Sequence, residues 1–72
     1  MNKPELQQKI GQRIKKLREA KGISQQELAS MCDFEKSNMS RLEAGGTNPT
    51  VFTLYKISEA LSVSLSELLD VN

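Results

Sequence analysis

The feature that most limits the fold of this chain is the helical spacing of its apolar residues. In five successive segments they recur at steps of three and four residues, the period of an amphipathic helix. The predicted apolar positions are Leu6, Ile10, Ile14 and Leu17; Leu28, Ala29, Met31 and Cys32; Phe34, Met39 and Leu42; Val51, Leu54, Ile57 and Leu61; and Leu65, Leu68 and Leu69. No strand signal is present. We therefore expect an all-α domain of five helices.

Residues that favour helix ends separate these segments. Pro4 suits the first turn of the first helix, and Gly22 suits its end. Gly45 stops a third helix of about residues 35–44, and the fourth starts near Thr50. Two further starts have the spacing of a capping box, Ser24 with Glu27 and Ser64 with Glu67. The connections are short, and we expect residues 1–72 to form a single domain.

The charge of the chain is unevenly distributed. Residues 1–24 carry seven basic and two acidic residues, a net charge of +5, whereas residues 25–46 and 47–72 each carry −2, so the total is +1. A basic first third is a candidate electrostatic footprint for nucleic acid. A solvated, lysine-rich helix face has the same composition, and charge alone leaves both interpretations open.

Several classes of function are disfavoured by what the sequence lacks. It has no histidine and a single cysteine, Cys32, so the usual zinc sites and the Ser–His and Cys–His nucleophiles cannot be built. No glycine loop of the phosphate-binding kind is present. We expect no enzyme, no metal, no cofactor and no small-molecule ligand. With no apolar run of membrane-spanning length and no signal peptide, we expect a cytoplasmic protein.

The second and third segments have the spacing of a helix-turn-helix motif, at about residues 25–44. Ala29 is small where two helices must approach closely, and Cys32 is small and apolar just before the turn. On this motif the chain resembles the Xre/Cro family of phage and bacterial repressors. The resemblance runs through "SQQELA", "SNMSRLEAG", "TNPTVFTLYKI" and "ALSVSLSELL". It implies a five-helix, lambda-repressor-like DNA-binding domain whose third helix enters the major groove.

The resemblance also implies roles for individual residues. Base-reading positions are Lys36, Ser37 and Arg41; DNA-backbone positions are Gln25, Asn38, Ser40 and Asn48; and Arg18 with Glu43 is an ion pair joining the first and third helices. Arginine and lysine can reach guanine O6 and N7, which agrees with the first group. Solvated charges on an exposed helix, and an ordinary first-turn glutamine at Gln25, are the competing interpretations.

Two positions depart from the family pattern. Asp33 stands where glycine is usual, and Glu35 stands where serine or threonine usually caps the third helix. Either Asp33 adopts the left-handed turn and Glu35 is the cap, or Asp33 is the cap and the helix starts at Phe34. The sequence leaves this choice open. We hypothesise that Glu35 suppresses non-specific DNA binding or accepts a hydrogen bond from a cytosine amino group.

The partners expected from this interpretation are double-stranded DNA and a second copy of the chain. Half-sites on DNA usually demand two-fold symmetry. The candidate dimer surface is an apolar patch of Phe52, Tyr55, Leu65 and Leu69, although some of these could complete the core of the monomer. With no room for a sensor domain, we expect control by concentration, a partner or proteolysis. The alternative function is a protein-interaction module on the same scaffold, such as an antitoxin that binds a toxin.

Overall fold

The computed structural model describes residues 1–71 and contains five helices and no strand within them. The helices are α1 (Lys3–Ala20), α2 (Gln25–Met31), α3 (Lys36–Glu43), α4 (Val51–Ala60) and α5 (Leu65–Leu68). The predicted all-α, five-helix fold is therefore confirmed. No helix in this part of the chain combines the length and the apolar character needed to cross a membrane.

Four of the five helices end in the same way. After the C-cap, one residue adopts a left-handed backbone, and its N–H and that of the next residue bond carbonyls of the last turn, the Schellman arrangement. The left-handed residues are Gly22 (φ 70°), Asp33 (φ 56°), Gly45 (φ 81°) and Ser62 (φ 57°). The N–H of the residue after each of these bonds the carbonyl five positions earlier. The pairs are Ile23 with Arg18, Phe34 with Ala29, Gly46 with Arg41, and Val63 with Ser58.

The helix starts depend on hydroxyl and amide side chains. Side-chain oxygens of Asn2, Ser24, Thr50 and Ser64 each accept a bond from a backbone N–H of the first turn of α1, α2, α4 and α5. The capping box of Ser24 and Glu27 is complete, whereas in α5 the N–H of Glu67 donates to Ser64 without the return bond. The box lowers the pKa of Glu27, chiefly through the Ser24 N–H. Its stabilisation is therefore lost as the pH falls through that lowered pKa.

The turn before α3 decides between the two registers left open by the sequence. Asp33 adopts the left-handed conformation, and Glu35 is the N-cap with an extended backbone (φ −78°, ψ 148°). The Glu35 side chain makes no capping hydrogen bond, so its carboxylate stays exposed at the start of α3. Asp33 is thus a turn residue and not a cap.

The core lies where the five helices meet, and its members follow the predicted stripes closely. Its largest fully buried side chains are Ile14, Leu28, Met39, Ile57, Leu61, Leu68 and Cys32. Burial raises the pKa of the Cys32 thiol, which keeps it neutral as a small core residue. Leu65 and Leu69 are half-buried and pack against this core.

Three predicted stripe residues are exposed instead. Leu6, Met31 and Val51 leave 41%, 56% and 72% of their surface accessible. Met31 lies about 80° around α2 from the mean direction of Leu28 and Cys32, since successive residues turn by about 100°. Val51 is the first residue of α4, where no neighbouring element covers it. Helical spacing predicts which apolar residues share one face of a helix, but it does not predict which of them another part of the chain covers.

A glycine in the middle of α1 allows a close approach between α1 and α3. A Cβ atom on Gly11 would lie 2.5 Å from the carbonyl oxygens of both Leu42 and Glu43, at the end of α3. A Cβ on Gly45 would lie 2.7 Å from Cγ of Gln8. The backbones of α1 and α3 are therefore in direct contact, which sets the depth at which α3 is seated.

The shared left-handed positions give a test of the helix ends. Ser62→Gly removes the steric cost of φ 57° and should stabilise the fold by roughly 0.5 kcal/mol, after the greater flexibility of unfolded glycine is subtracted. Gly22→Ala is the matched opposite, because a Cβ there meets no atom within 4 Å and adds only the backbone cost. It should destabilise by about 1 kcal/mol. Urea unfolding measures both; equal destabilisation by the two changes would contradict this account.

Candidate nucleic-acid interface

The outer face of α3 is polar and exposed along its whole length. Ser37 and Arg41, four residues apart, lie near the centre of this face, opposite the buried Met39. Lys36 and Ser40 lie toward one flank and Asn38 toward the other, and all five side chains are exposed. The structure thus brings the three predicted base-reading residues onto one accessible face.

A buried ion pair holds the other side of α3. Nε of Arg18 lies 2.7 Å from Oε2 of Glu43, and Nη2 lies 3.1 Å from Oε1. The two side chains are 9% and 2% exposed. The hydrogen bond to Glu43 raises the pKa of Arg18 and outweighs the opposite effect of burial. Nη1 of Arg18 also donates to the carbonyl of Ile23 at 2.8 Å, so one guanidinium joins α1, α3 and the connection to α2.

Gln25, a predicted phosphate contact, belongs to the same network. Its Nε2 donates to Oε1 of Glu43 at 2.9 Å, and the side chain is half-buried at the first residue of α2. One amide N–H is used in this bond, which leaves the second N–H and the carbonyl oxygen. The sequence placed Gln25 at the interface but gave no sign that Glu43 orients it.

The other flank of α3 faces the loop of residues 44–50. Asn38 accepts a hydrogen bond from Nη2 of Arg41, so the two predicted contact residues are paired along the helix. Asn48 is exposed in the loop. Gln25 therefore lies beyond one flank of α3 and the loop with Asn48 beyond the other.

Three of the six basic residues of α1 lie on the side of the helix that faces α5 and not α3. Lys9, Arg13 and Lys16 border a shallow cleft with Asp70 and Val71, next to α5. Nε and Nη2 of Arg13 donate to the carbonyl of Glu67 at 3.1 and 3.0 Å. Gly11, by contrast, marks the side of α1 that contacts α3. Lys9 and Lys16 are therefore part of a solvated helix face and Arg13 ties α1 to α5, whereas Arg18 belongs to the ion pair with α3.

Lys56 has a contact that the sequence analysis missed. Its Nζ lies 5.1 Å from the ring centroid of Phe34, in the turn before α3, and 5.8 Å from that of Phe52 on α4. Both distances suit cation–π attraction. No pattern in the sequence brings residues 34, 52 and 56 together, because the contact requires α4 to pack near the turn.

An exposed apolar surface covers the outer side of α4. We call it the α4 patch: Met31, Val51, Phe52 and Tyr55, of which Phe52 is 67% exposed. The rings of Phe52 and Tyr55 stack with centroids 6.4 Å apart. Glu59 raises the pKa of Tyr55 by hydrogen bonding to its protonated form. The patch contains Phe52 and Tyr55 of the expected dimer surface, whereas Leu65 and Leu69 are half-covered by the core.

Comparison with known proteins places this arrangement in one family. The family model described as Helix-turn-helix (HTH_3) matches residues 14–68. The regulator SinR of Bacillus subtilis is 47% identical over 62 residues, which are 85% of this chain and 56% of SinR. An HTH-type transcriptional regulator of Sinorhizobium fredii, y4dJ, is 42% identical over 59 residues, 82% of this chain and 77% of its own length.

Solved structures agree with the sequence matches. The restriction-modification controller protein C.AhdI from Aeromonas hydrophila superposes with a TM-score of 0.82 at 36% identity, covering 85% of this chain and 92% of that one. SinR in complex with DNA superposes with a TM-score of 0.77 at 47% identity, covering 85% of this chain and 98% of that one. The likeness thus extends through the helix-turn-helix and the helices that support it.

The buried ion pair provides a stability test of the site. Glu43→Ala leaves the Arg18 guanidinium buried without its partner and should destabilise by about 3–5 kcal/mol. A domain of this size is stable by roughly 4–11 kcal/mol, so much of its stability would be lost. Arg18→Met with Glu43→Leu should recover most of it, since no charge remains buried. Glu19→Ala, an exposed acid beside Arg18, is the control; an equal effect there would contradict a special role for Glu43.

Proposed function

This chain belongs to the Xre/lambda-repressor-like helix-turn-helix family of transcriptional regulators, and we propose that it reads a specific double-stranded DNA site with α3 in the major groove. The family is one of regulators and not of enzymes, so binding is the whole activity proposed. A protein that reads chromosomal DNA in a bacterium acts in the cytoplasm.

The observation that carries the proposal is the contrast between the two sides of α3. Met39, Leu42 and Glu43 are buried, while the outward residues are exposed hydrogen-bonding side chains with no apolar member among them. The major groove is about 12 Å wide and admits one helix presented in this way. A protein-docking helix would need apolar anchors on that face.

In this arrangement the residues divide by their position around α3. Ser37 and Arg41, near the centre of the outer face, are directed at the base edges, and the long side chain of Lys36 reaches a base edge from the flank that it shares with Ser40. The backbone contacts fall on two sides: Gln25 and Ser40 toward one strand, Asn38 and Asn48 toward the other. Contacts with phosphates supply affinity and register, and the base contacts supply sequence preference. The Asn38–Arg41 bond keeps the guanidinium along the helix until a base or phosphate replaces it.

Glu35 adds a negative charge to this surface at the start of α3. Its carboxylate is exposed and makes no capping bond, one residue before Lys36. A negative charge there weakens binding to phosphates in general and leaves a cytosine amino group as its natural partner. Because Lys9, Arg13 and Lys16 lie away from α3, we expect non-specific binding to be modest and salt-sensitive.

We further propose that the chain acts as a homodimer through the α4 patch. An apolar surface of this kind, on a domain of 72 residues, is typical of a partner surface. Two copies related by two-fold symmetry would place their α3 helices in successive major grooves, as half-sites require. Leu65 and Leu69 can contribute only the parts of their side chains that the core leaves open.

The same patch favours a second candidate, binding of a different protein. The structure of a SinR–SinI protein complex has been solved, and its matching chain is 47% identical in sequence to this one. The two candidates differ in what covers the α4 patch, and neither requires the face of α3 to change.

Selection of bound sites from random duplex DNA tests the main proposal. An enriched palindrome with half-site centres about one helical turn apart is expected. Lys36→Ala and Arg41→Ala should each relax preference at one base pair, by about 1–3 kcal/mol of discrimination. Lys16→Ala removes a cation on the side of α1 away from α3 and should leave the selected sequence unchanged. Failure of the wild type to enrich any sequence would refute the proposal.

Sedimentation tests the dimer. The wild-type chain at micromolar concentration should contain dimers, and Phe52→Glu should give monomers because a charge would be buried at the interface. Leu6→Glu changes an exposed apolar residue of α1 and should leave the dimer intact. A wild type that stays monomeric, alone and on its selected DNA, would favour a different protein as the occupant of the α4 patch.

A further inference from the structure

A small open cleft lies between α3 and the loop that follows it. Its volume is about 210 Å³, and its walls are Phe34, Asn38, Leu42, Thr47, Pro49 and Thr53. Asn38 and Leu42 are four residues apart and form the wall on α3, while Thr47 and Pro49 form the wall on the loop. The cleft therefore runs along the flank of α3 that faces away from Gln25 and the ion pair.

One atom beside this cleft is not satisfied in the free protein. Oγ1 of Thr47 is buried and has no hydrogen-bond partner, although the residue as a whole is only half-buried. A buried hydroxyl without a partner costs free energy, and such groups concentrate where a ligand or a strained site explains them. The neighbouring Thr53 differs, since its hydroxyl accepts a bond from Thr50 at 3.0 Å.

The chemistry of the lining limits what could occupy the cleft. Phe34, Leu42 and Pro49 provide an apolar floor, whereas Asn38 and the two threonines provide a polar rim. None of the six lining residues carries a carboxylate, so an anion is not repelled by the walls. Arg41 lies beside the rim through its bond to Asn38. An occupant with an apolar ring and an adjacent anionic oxygen fits these features.

We infer that this cleft seats the sugar–phosphate backbone of one DNA strand, with a deoxyribose on the apolar floor and the Thr47 hydroxyl donating to the adjacent phosphate. The inference rests on the proposed function, because the strand that borders α3 on the loop side would pass here. Thr47 lines the cleft, so a rotation about its Cα–Cβ bond is the movement that turns the hydroxyl toward the phosphate. Without DNA, the Thr47 hydroxyl then stays in its buried position, where it has no hydrogen-bond partner.

This arrangement makes stability and DNA affinity respond to Thr47 in opposite directions. Thr47→Val keeps the shape and removes the unsatisfied hydroxyl, so the free protein should melt roughly 2–6 °C higher. The same change removes a hydrogen bond to a charged oxygen, so affinity for the selected DNA should fall about tenfold. The selected sequence should stay the same, since a backbone contact carries no base information.

Two variants and one modified DNA complete the test. Thr47→Ser retains the hydroxyl and should retain wild-type affinity, while Ser66→Ala removes an exposed hydroxyl on α5, outside the cleft, and should leave affinity within about twofold. Neutral methylphosphonate linkages, placed one at a time in the selected duplex, should identify one phosphate at which the wild type loses affinity. At that linkage Thr47→Val should add no further loss.

The outcomes separate the two claims. If the wild type selects a DNA site but Thr47→Val binds it unchanged, or loses affinity equally at every linkage, the inference is wrong and the proposed function stands. If the wild type selects no site, both are wrong. A higher melting temperature, a tenfold weaker complex and coupling at a single phosphate together support the cleft as a backbone site.

Discussion

The buried contact between Arg18 and Glu43 is the interaction on which the arrangement of the interface depends. It joins α1 to the last residue of α3, bonds Ile23 at the entry to α2, and orients Gln25 at the first residue of α2. Removal of one charge leaves the other without compensation in a nearly dry site. The orientation of α3 and of its nearest predicted phosphate contact are thus set by one pair of side chains.

Around that contact, the chain is organised by helix ends of a single type. Each of α1 to α4 is followed, after its C-cap, by a left-handed residue, and two N–H groups there bond carbonyls of the last turn, so short helices can change direction while these groups stay bonded. At Asp33 and Ser62 the left-handed residue is not glycine. At Asp33 the steric cost of the left-handed backbone falls in the turn that leads into α3. This turn positions Glu35 and Lys36.

The distribution of charge determines how the proposed regulator is expected to bind DNA. Because Lys9, Arg13 and Lys16 lie near α5 and not beside α3, these three cations contribute little to a DNA-facing surface. Sequence preference then rests on a few side chains of α3 and on the geometry that holds them. A second copy at the α4 patch would double those contacts, which suits a domain whose own interface is small.

The helices, the hydroxyl caps at Ser24 and Ser64 and the polar face of α3 were determined by the sequence alone. These features depend on residues within one or two turns of each other, such as Ser24 with Glu27. Tertiary structure decided the rest: the left-handed Asp33 in preference to a cap, the exposure of Met31 and Val51, the bond from Gln25 to Glu43, and the cleft beside Thr47. Each of these depends on how the helices pack against one another, which no local sequence pattern encodes.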